Sequence, residues 1–372
     1  MRPSLIVGLF AGLGSAANIN IWDVDSSCDP HIAALQKAYD DAADMASKAQ
    51  RDLRFVQQAR PKYSRTRANI NEIREWDRIA RAVTNMFGFE VNKAGHDPND
   101  PDMADVLYVF DRMNTALQGN QNVPQGGYSG QHQQALLMCD TTPWDWIGRN
   151  DPDPLNPGLS LVASKPQDLG TGPGAWYYKE RYISNGNPNS ISICRPGVFA
   201  VTMTRWDLLT FCPFSFQGNL PGTIGPVDGR AGAAVGNTLD QYGAFSLSRV
   251  MIHELAHWYG AGGRGTDNDR KVTDKQAVGK NGDLIWYNTQ TKKYQTAKDD
   301  GVLKATAYAY SWVSKLAKIN QPPNDANSGP RQAIFNAESY AYFGMMAYMD
   351  SFDWADDGKA KDIQNPLVPS NP

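Results

Sequence analysis

Several things are scarce in this chain of 372 residues, and each scarcity removes a class of function. There is no stripe of clustered lysine and arginine. The 36 basic residues stand against 39 acidic ones, for a formal charge of −3, so the basic footprint that nucleic-acid binding requires is missing. Beyond the first residues no run of about 18 apolar residues occurs, and no transmembrane helix is expected. Cysteine is limited to Cys28, Cys139, Cys194 and Cys212, none in a Cys-x-x-Cys pair, which argues against a thiolate metal site. There is no Asn-x-Ser/Thr triplet, so N-glycosylation is not indicated. Histidine occurs only five times.

What is present reads as an exported globular protein. Met1-Arg2 gives a short positive start, Leu5 to Gly14 an apolar run too short to span a bilayer, and Ser15-Ala16-Ala17 small residues suited to signal peptidase. Residues 1–17 are therefore expected to be a signal peptide, and the location secreted and extracellular. Four cysteines in an exported chain suggest two disulfides, and the sequence leaves all three pairings open. A hydrophobic fraction of 41% and a charged fraction of 20% are ordinary globular values.

The organisation expected is α+β and mainly helical, with a small β-sheet, in one domain over 18–354. The domain is read as a helical part (28–116), a mixed part (135–240) and a part carrying the site (241–350). Asp29-Pro30 starts a helix with a capping carboxylate and a proline in its first turn. Ile32, Leu35, Tyr39, Ala42 and Ala46 continue it at helical spacing, and Ile70, Ile73, Trp76, Ile79, Val83 and Phe87 mark a second helix. A third is expected from about Met103 to Met113. Residues 118–132 read as a surface loop. Ser190–Cys194 and Val198–Met203 look like strands. Further helices are expected near 241–259, 306–318 and 330–349, a hairpin from Leu284–Tyr287 and Lys293–Thr296, and a flexible tail over 355–372.

Two of the five histidines, His253 and His257, lie four apart in the run His253-Glu254-Leu255-Ala256-His257. On a helix that spacing puts both imidazoles on one face, one turn apart, where they can grip a single ion. One Zn2+ is the natural occupant. Zinc lowers the pKa of water from about 15.7 to about 7. Glu254, beside His253, is then placed to act as general base toward the attacking water and to return the proton to the leaving amine. The other histidines, His31, His96 and His132, read as surface residues.

At this point the sequence resembles the fungal aspzincin metallopeptidases, which include deuterolysin and the lysine-specific metalloendopeptidases. Three blocks, in order over roughly 250–345, carry the likeness. They are His253-Glu254-Leu255-Ala256-His257; Ala307-Tyr308-Ala309-Tyr310-Ser311 with Leu316-Ala317; and Asn336-Ala337-Glu338-Ser339-Tyr340-Ala341-Tyr342-Phe343. The resemblance implies a zincin fold and a zinc endopeptidase acting on protein or peptide substrates. It also implies an aspartate as third ligand in a Gly-Thr-x-Asp context, and a tyrosine, matched by Tyr310, that donates to the oxyanion. The acidic residue of the third block, Glu338, is implied to help form the pocket for the residue after the scissile bond and to favour lysine there. Ligation of the metal by Glu338 and a plain helix–helix hydrogen bond are the other readings.

The chain departs from the family pattern where the third ligand should be. Ala307, not aspartate, precedes Tyr308, and the segment between the blocks is longer. Gly265-Thr266-Asp267-Asn268-Asp269 offers Asp267 or Asp269, in a stretch more easily read as a solvated turn. Asp274 ends a short extended-looking run and is favoured; Asp299 and Asp300 lie further on. The 284–296 hairpin is expected to cover the cleft as a flap. An alternative reading is a secreted zinc-binding protein on a peptidase scaffold without catalytic activity.

Overall fold

The computed structural model describes residues 17–64, 69–97, 99–118, 134–184, 186–217, 223–261, 272–321 and 327–364. The expected signal segment (apart from Ala17), most of the 118–132 loop, His132, Gly262, Gly263, Asp267 and Asp269 lie outside these residues. Among the described residues no helix is long and apolar enough to cross a membrane.

Three long helices come first: α1 (Ile32–Gln57), α2 (Ile70–Phe87) and α3 (Pro101–Leu117). The start of α1 is more elaborate than a single cap. Asp25, not Asp29, caps a 3-10 turn over Ser26–His31 by accepting from the Ser27 N–H, and the α-helix begins at Ile32. α3 is longer than its apolar stripe suggests, because Asp100 accepts from the N–H groups of Asp102 and Met103 and Pro101 occupies the first turn. The helix α4 (Leu247–Gly260) packs against α1, α3 and α7 (Ala337–Tyr348). It is buried on every side: of its residues only His257 is not classed as buried. Its apolar residues, Val250, Met251, Ile252, Leu255 and Ala256 among them, anchor it in the core, where each fully buried Leu-, Ile- or Met-sized side chain contributes roughly 1.5–3 kcal/mol, and Arg249, His253 and Glu254 are carried in with them.

A four-stranded sheet lies beside this bundle in the order β1 (Asp23–Val24), β2 (Leu136–Met138), β4 (Leu208–Phe211), β3 (Ala200–Met203). The first two pairings are parallel, and β3 runs antiparallel to β4 as an edge strand next to α4. The expected strand at Ser190–Cys194 does not form. That stretch turns instead, with Ser192 at a positive φ and Cys194 bonded to Cys212. A second three-stranded sheet is built from 145–148, 174–178 and 181–183.

In the C-terminal third, β5 (Trp286–Asn288) pairs with β6 (Lys293–Gln295), the expected hairpin, and β7 (Val302–Lys304) adds a third strand on the other side of β5. Helix α5 (Tyr310–Ala317) follows, then α6 (Gly329–Ile334) and α7. The single helix expected over 330–349 is interrupted at Phe335–Asn336. There the backbone turns outward: the Phe335 carbonyl accepts from Thr273 N–H at 2.9 Å, and Ala337 N–H donates to the Thr273 carbonyl at 3.1 Å. The segment from Ala355 is not a loose tail as far as Gln364. Ala355 and Ala360 are buried, and Ala360 exchanges backbone hydrogen bonds with Gly236 and Asn237.

The disulfides are Cys28–Cys139 and Cys194–Cys212, and no described cysteine is free. The two disulfides fit an extracellular protein. Cys28–Cys139 joins residues 111 apart and Cys194–Cys212 residues 18 apart. On chain-entropy grounds alone these loops are worth about 5 and about 3 kcal/mol. Cys28→Ser with Cys139→Ser should therefore lower the denaturant midpoint more than Cys194→Ser with Cys212→Ser, and equilibrium unfolding of the two double variants checks the order.

Candidate metal centre

His253 and His257 project from one face of α4, as their spacing predicts. Their Nε2 atoms stand 3.1 Å apart, and the Asp274 Oδ1 atom lies 3.1 Å from the first and 3.4 Å from the second. Three donor atoms at these separations form one face of a tetrahedron. With bonds of about 2.0–2.1 Å, a tetrahedral zinc ion would hold its ligands about 3.3 Å apart. The outer nitrogens are both engaged. His257 Nδ1 lies 2.9 Å from the Val272 carbonyl, which can only accept, so Nδ1 carries the proton there. His253 Nδ1 lies 2.7 Å from Glu338 Oε2. With Nδ1 turned to an acceptor in each ring, both Nε2 atoms face the Asp274 carboxylate, where a proton or a metal ion can bridge them. Two imidazoles and a carboxylate suit zinc chemically, and the cluster is able to hold a metal ion.

Asp274 is held from two sides. Thr273 pairs with the Phe335–Ala337 break, and the Asn336 side-chain oxygen accepts from Lys275 N–H at 3.2 Å. On the other side Ala307 N–H donates to the Lys275 carbonyl and Ala277 N–H to the Ala305 carbonyl. Gly260, at the end of α4, allows this segment to come close. A Cβ there would lie 2.4 Å from Val272 Cγ2. Gly260→Ala should push Val272 and Asp274 away from the two histidines and weaken metal binding about tenfold or more, measured by competition with a chromophoric chelator.

Beneath the histidines lies a buried ion pair. Glu338, fully buried, accepts two hydrogen bonds from Arg249 Nη1 at 2.9 and 2.8 Å as well as facing His253. Arg249 is itself buried, and its remaining contacts are to the Gly243 and Ala244 carbonyls. Burial opposes its charge, but the adjacent Glu338 carboxylate holds its pKa up. This corrects the expectation for Glu338: its oxygens are turned into the protein, against Arg249 and His253, and do not line the cleft.

The two tyrosines also differ from expectation. Tyr310 is buried, donates to the Ala355 carbonyl, and packs its ring on Gly358, where a Cβ would come within 2.6 Å. It does not line the cavity over His257 and Asp274. Tyr308, two residues earlier and just outside α5, has a half-exposed ring 5.7 Å from that of His253. Its hydroxyl donates to Asp274 Oδ2 at 3.0 Å.

Glu254 is buried, and its Oε2 accepts from the Thr202 hydroxyl of β3 at 2.6 Å. A cavity of about 410 Å³ opens over Glu254, His257, Asp274, Thr202 and Tyr308. None of residues 284–296 lines it, so the hairpin is not a flap over the cluster; Tyr294 packs on Trp312 of α5 instead. Asp299 and Asp300 are exposed, and Asp299 accepts from Gln295. His31 stacks on Phe216, and His96 is part-buried beside Asp100, so neither joins the site. A larger hollow of about 700 Å³ beside α2 contains Arg60 and Arg81, which are paired with Asp77 and Asp353.

Burial would depress the His253 pKa, but its hydrogen bonds to Asp274 and Glu338 and the charge of both carboxylates outweigh it and push it up to about 10. Asp274 is desolvated, yet both histidines hold its carboxyl far below the usual range. A raised histidine pKa stabilises the metal-free fold fully below about pH 6.5 and loses that contribution as pH rises toward 10. A metal ion must displace the same proton. Its apparent affinity should therefore rise with pH through the neutral range, and calorimetry in buffers of different ionisation enthalpy should count about one proton released per ion.

No family model, curated protein or solved structure matches this chain. Two contacts beside the cluster had no sequence signal of their own. Thr202 reaches Glu254 from 52 residues away, and Arg249 reaches Glu338 from 89.

Proposed function

We propose that this protein is a secreted zinc-dependent endopeptidase of zincin type, a divergent relative of the aspzincins. The observation that carries the proposal is the convergence of His253, His257 and Asp274 on one point, with Glu254 beside them and an edge strand, β3, along the same cleft.

Each residue has a task in that reading. His253, His257 and Asp274 would hold the ion, which when bound would supply Lewis acidity and lower the pKa of water. Glu254, kept in place by Thr202, takes the proton of the attacking water and passes it to the leaving amine. The β3 strand has a backbone edge unpaired among the described residues, and an extended peptide can add to it by main-chain hydrogen bonds. Tyr308, not Tyr310, has its hydroxyl at the cluster and is the residue to stabilise the oxyanion. Glu338 and Arg249 fix the orientation of His253.

The test is metal analysis of the purified protein together with digestion of a mixed peptide library, before and after chelation and after zinc is restored. One zinc per chain and cleavage that follows the zinc support the proposal. Stoichiometric zinc with no cleavage would leave a zinc-binding protein on a peptidase-like site.

A further inference from the structure

The cleft has a side chamber that the proposed chemistry does not use. It is a cavity of about 140 Å³ between the approach to β3 and the first turns of α4. Val198, Phe199, Ala200 and Val250 form its apolar wall, and His253 and Glu254 stand at its inner end. We infer that this chamber receives the side chain next to the scissile bond of a peptide lying on β3, and that it selects an apolar residue of leucine to phenylalanine size rather than lysine. The inference rests on the peptidase reading and adds its substrate class.

Three observations carry it. The first is charge. The acidic residue that would attract lysine, Glu338, has no exposed surface and gives its oxygens to Arg249 and His253. The Arg249 guanidinium, which borders the chamber, is neutralised by that carboxylate and tied to the Gly243 and Ala244 carbonyls. An ammonium entering here would lose its water, and the carboxylate at the inner end, Glu254, already accepts from the Thr202 hydroxyl and faces the histidine cluster. The second is size. An apolar cavity of about 150 Å³ accommodates a benzene molecule, so this one fits a leucine or a phenyl ring. The third is the rim. Phe199 has its ring 5.0 Å from that of Phe214 and 6.4 Å from that of Phe245, and Phe214 and Phe245 are 36% and 57% exposed. These exposed aromatic rings continue the apolar wall outward from the chamber, where further apolar residues of a substrate would rest.

The test separates recognition from catalysis. Zinc-loaded Glu254→Gln protein is titrated with short peptide hydroxamates, which anchor to the metal. One series carries the hydroxamate at the C-terminal end and the other at the N-terminal end, with Leu, Lys or Gly adjacent. The expected result is that in one series Leu binds at least tenfold tighter than Lys. In that series Ala200→Leu, which fills the chamber, should abolish the Leu advantage and leave the Gly compound unchanged. Equal or tighter binding of Lys in both series overturns the inference, as does a Leu advantage that Ala200→Leu leaves intact. Failure of every hydroxamate to bind the zinc-loaded protein overturns it as well. Zinc content and library cleavage by the unaltered protein decide the peptidase reading separately, so apolar selection can fail while hydrolysis stands.

Discussion

Glu254→Gln is expected to reduce peptide hydrolysis by two to four orders of magnitude while zinc remains bound at one per chain. The expectation follows from where the carboxylate sits. Glu254 faces the cleft beside the cluster but belongs to none of the three converging ligand atoms, so its loss should spare the metal. Glutamine has the same shape and can still accept from the Thr202 hydroxyl, so the side chain should stay in place. What it lacks is the ability to take a proton. Turnover measured beside zinc content separates the outcomes: a variant that keeps both zinc and full activity would remove Glu254 from the mechanism. Loss of zinc along with activity would make Glu254 part of the metal site instead.

The second large effect is expected at Glu338. Glu338→Ala strands the buried Arg249 without its partner, and breaking a buried ion pair from one side costs roughly 3–5 kcal/mol. The same substitution frees His253 Nδ1, and loss of such an outer partner weakens metal binding about 10- to 100-fold. Two double variants separate these effects. Arg249→Met with Glu338→Leu removes the charge from both sides and should recover much of the stability, yet His253 still lacks an acceptor and metal affinity should remain low. Arg249→Met with Glu338→Gln returns an amide oxygen to His253 and should bring affinity back to within a few-fold. Thermal unfolding and metal competition, run on all three proteins, check both statements. Equal metal affinity in the two double variants would show that Glu338 does not orient His253.

These contacts also mark what the sequence could and could not disclose. The pairing of His253 with His257 is legible because helical periodicity alone brings residues four apart together. Asp274 was reachable only by comparing candidates, since its approach depends on the Gly260–Val272 contact and on bonds to Phe335 and Ala337. Glu338 stands out as an acidic residue in an apolar helix, but its direction is set by Arg249 and His253, both distant in the chain. The helix expected near 306–318 would carry both Tyr308 and Tyr310, whereas α5 begins only at Tyr310. The extended backbone before it turns Tyr308 toward Asp274, while Tyr310 enters the core against Gly358. The long helices were legible because each carries a sustained apolar stripe. The break before Ala337 was not, because it is imposed by a neighbouring segment and not by a breaker residue.

The hydrogen bonds that flank Asp274 have an architectural consequence. Residues 278–304, with all three strands β5–β7, are tied by their backbone to the rest of the protein where Gln276 faces Thr306 and Ala277 bonds Ala305, and rest on α5 through side chains such as Tyr294 on Trp312. Asp274 and Tyr308 stand just below that ladder, one on each of its rails. The segment is thus a graft on a closed stem: its length and surface can diverge or be exchanged for another loop while the stem keeps both residues at the same spacing. The long interval between the first and second of the three blocks is, in this view, an ornament that the His253–His257–Asp274 cluster tolerates because its base is zipped.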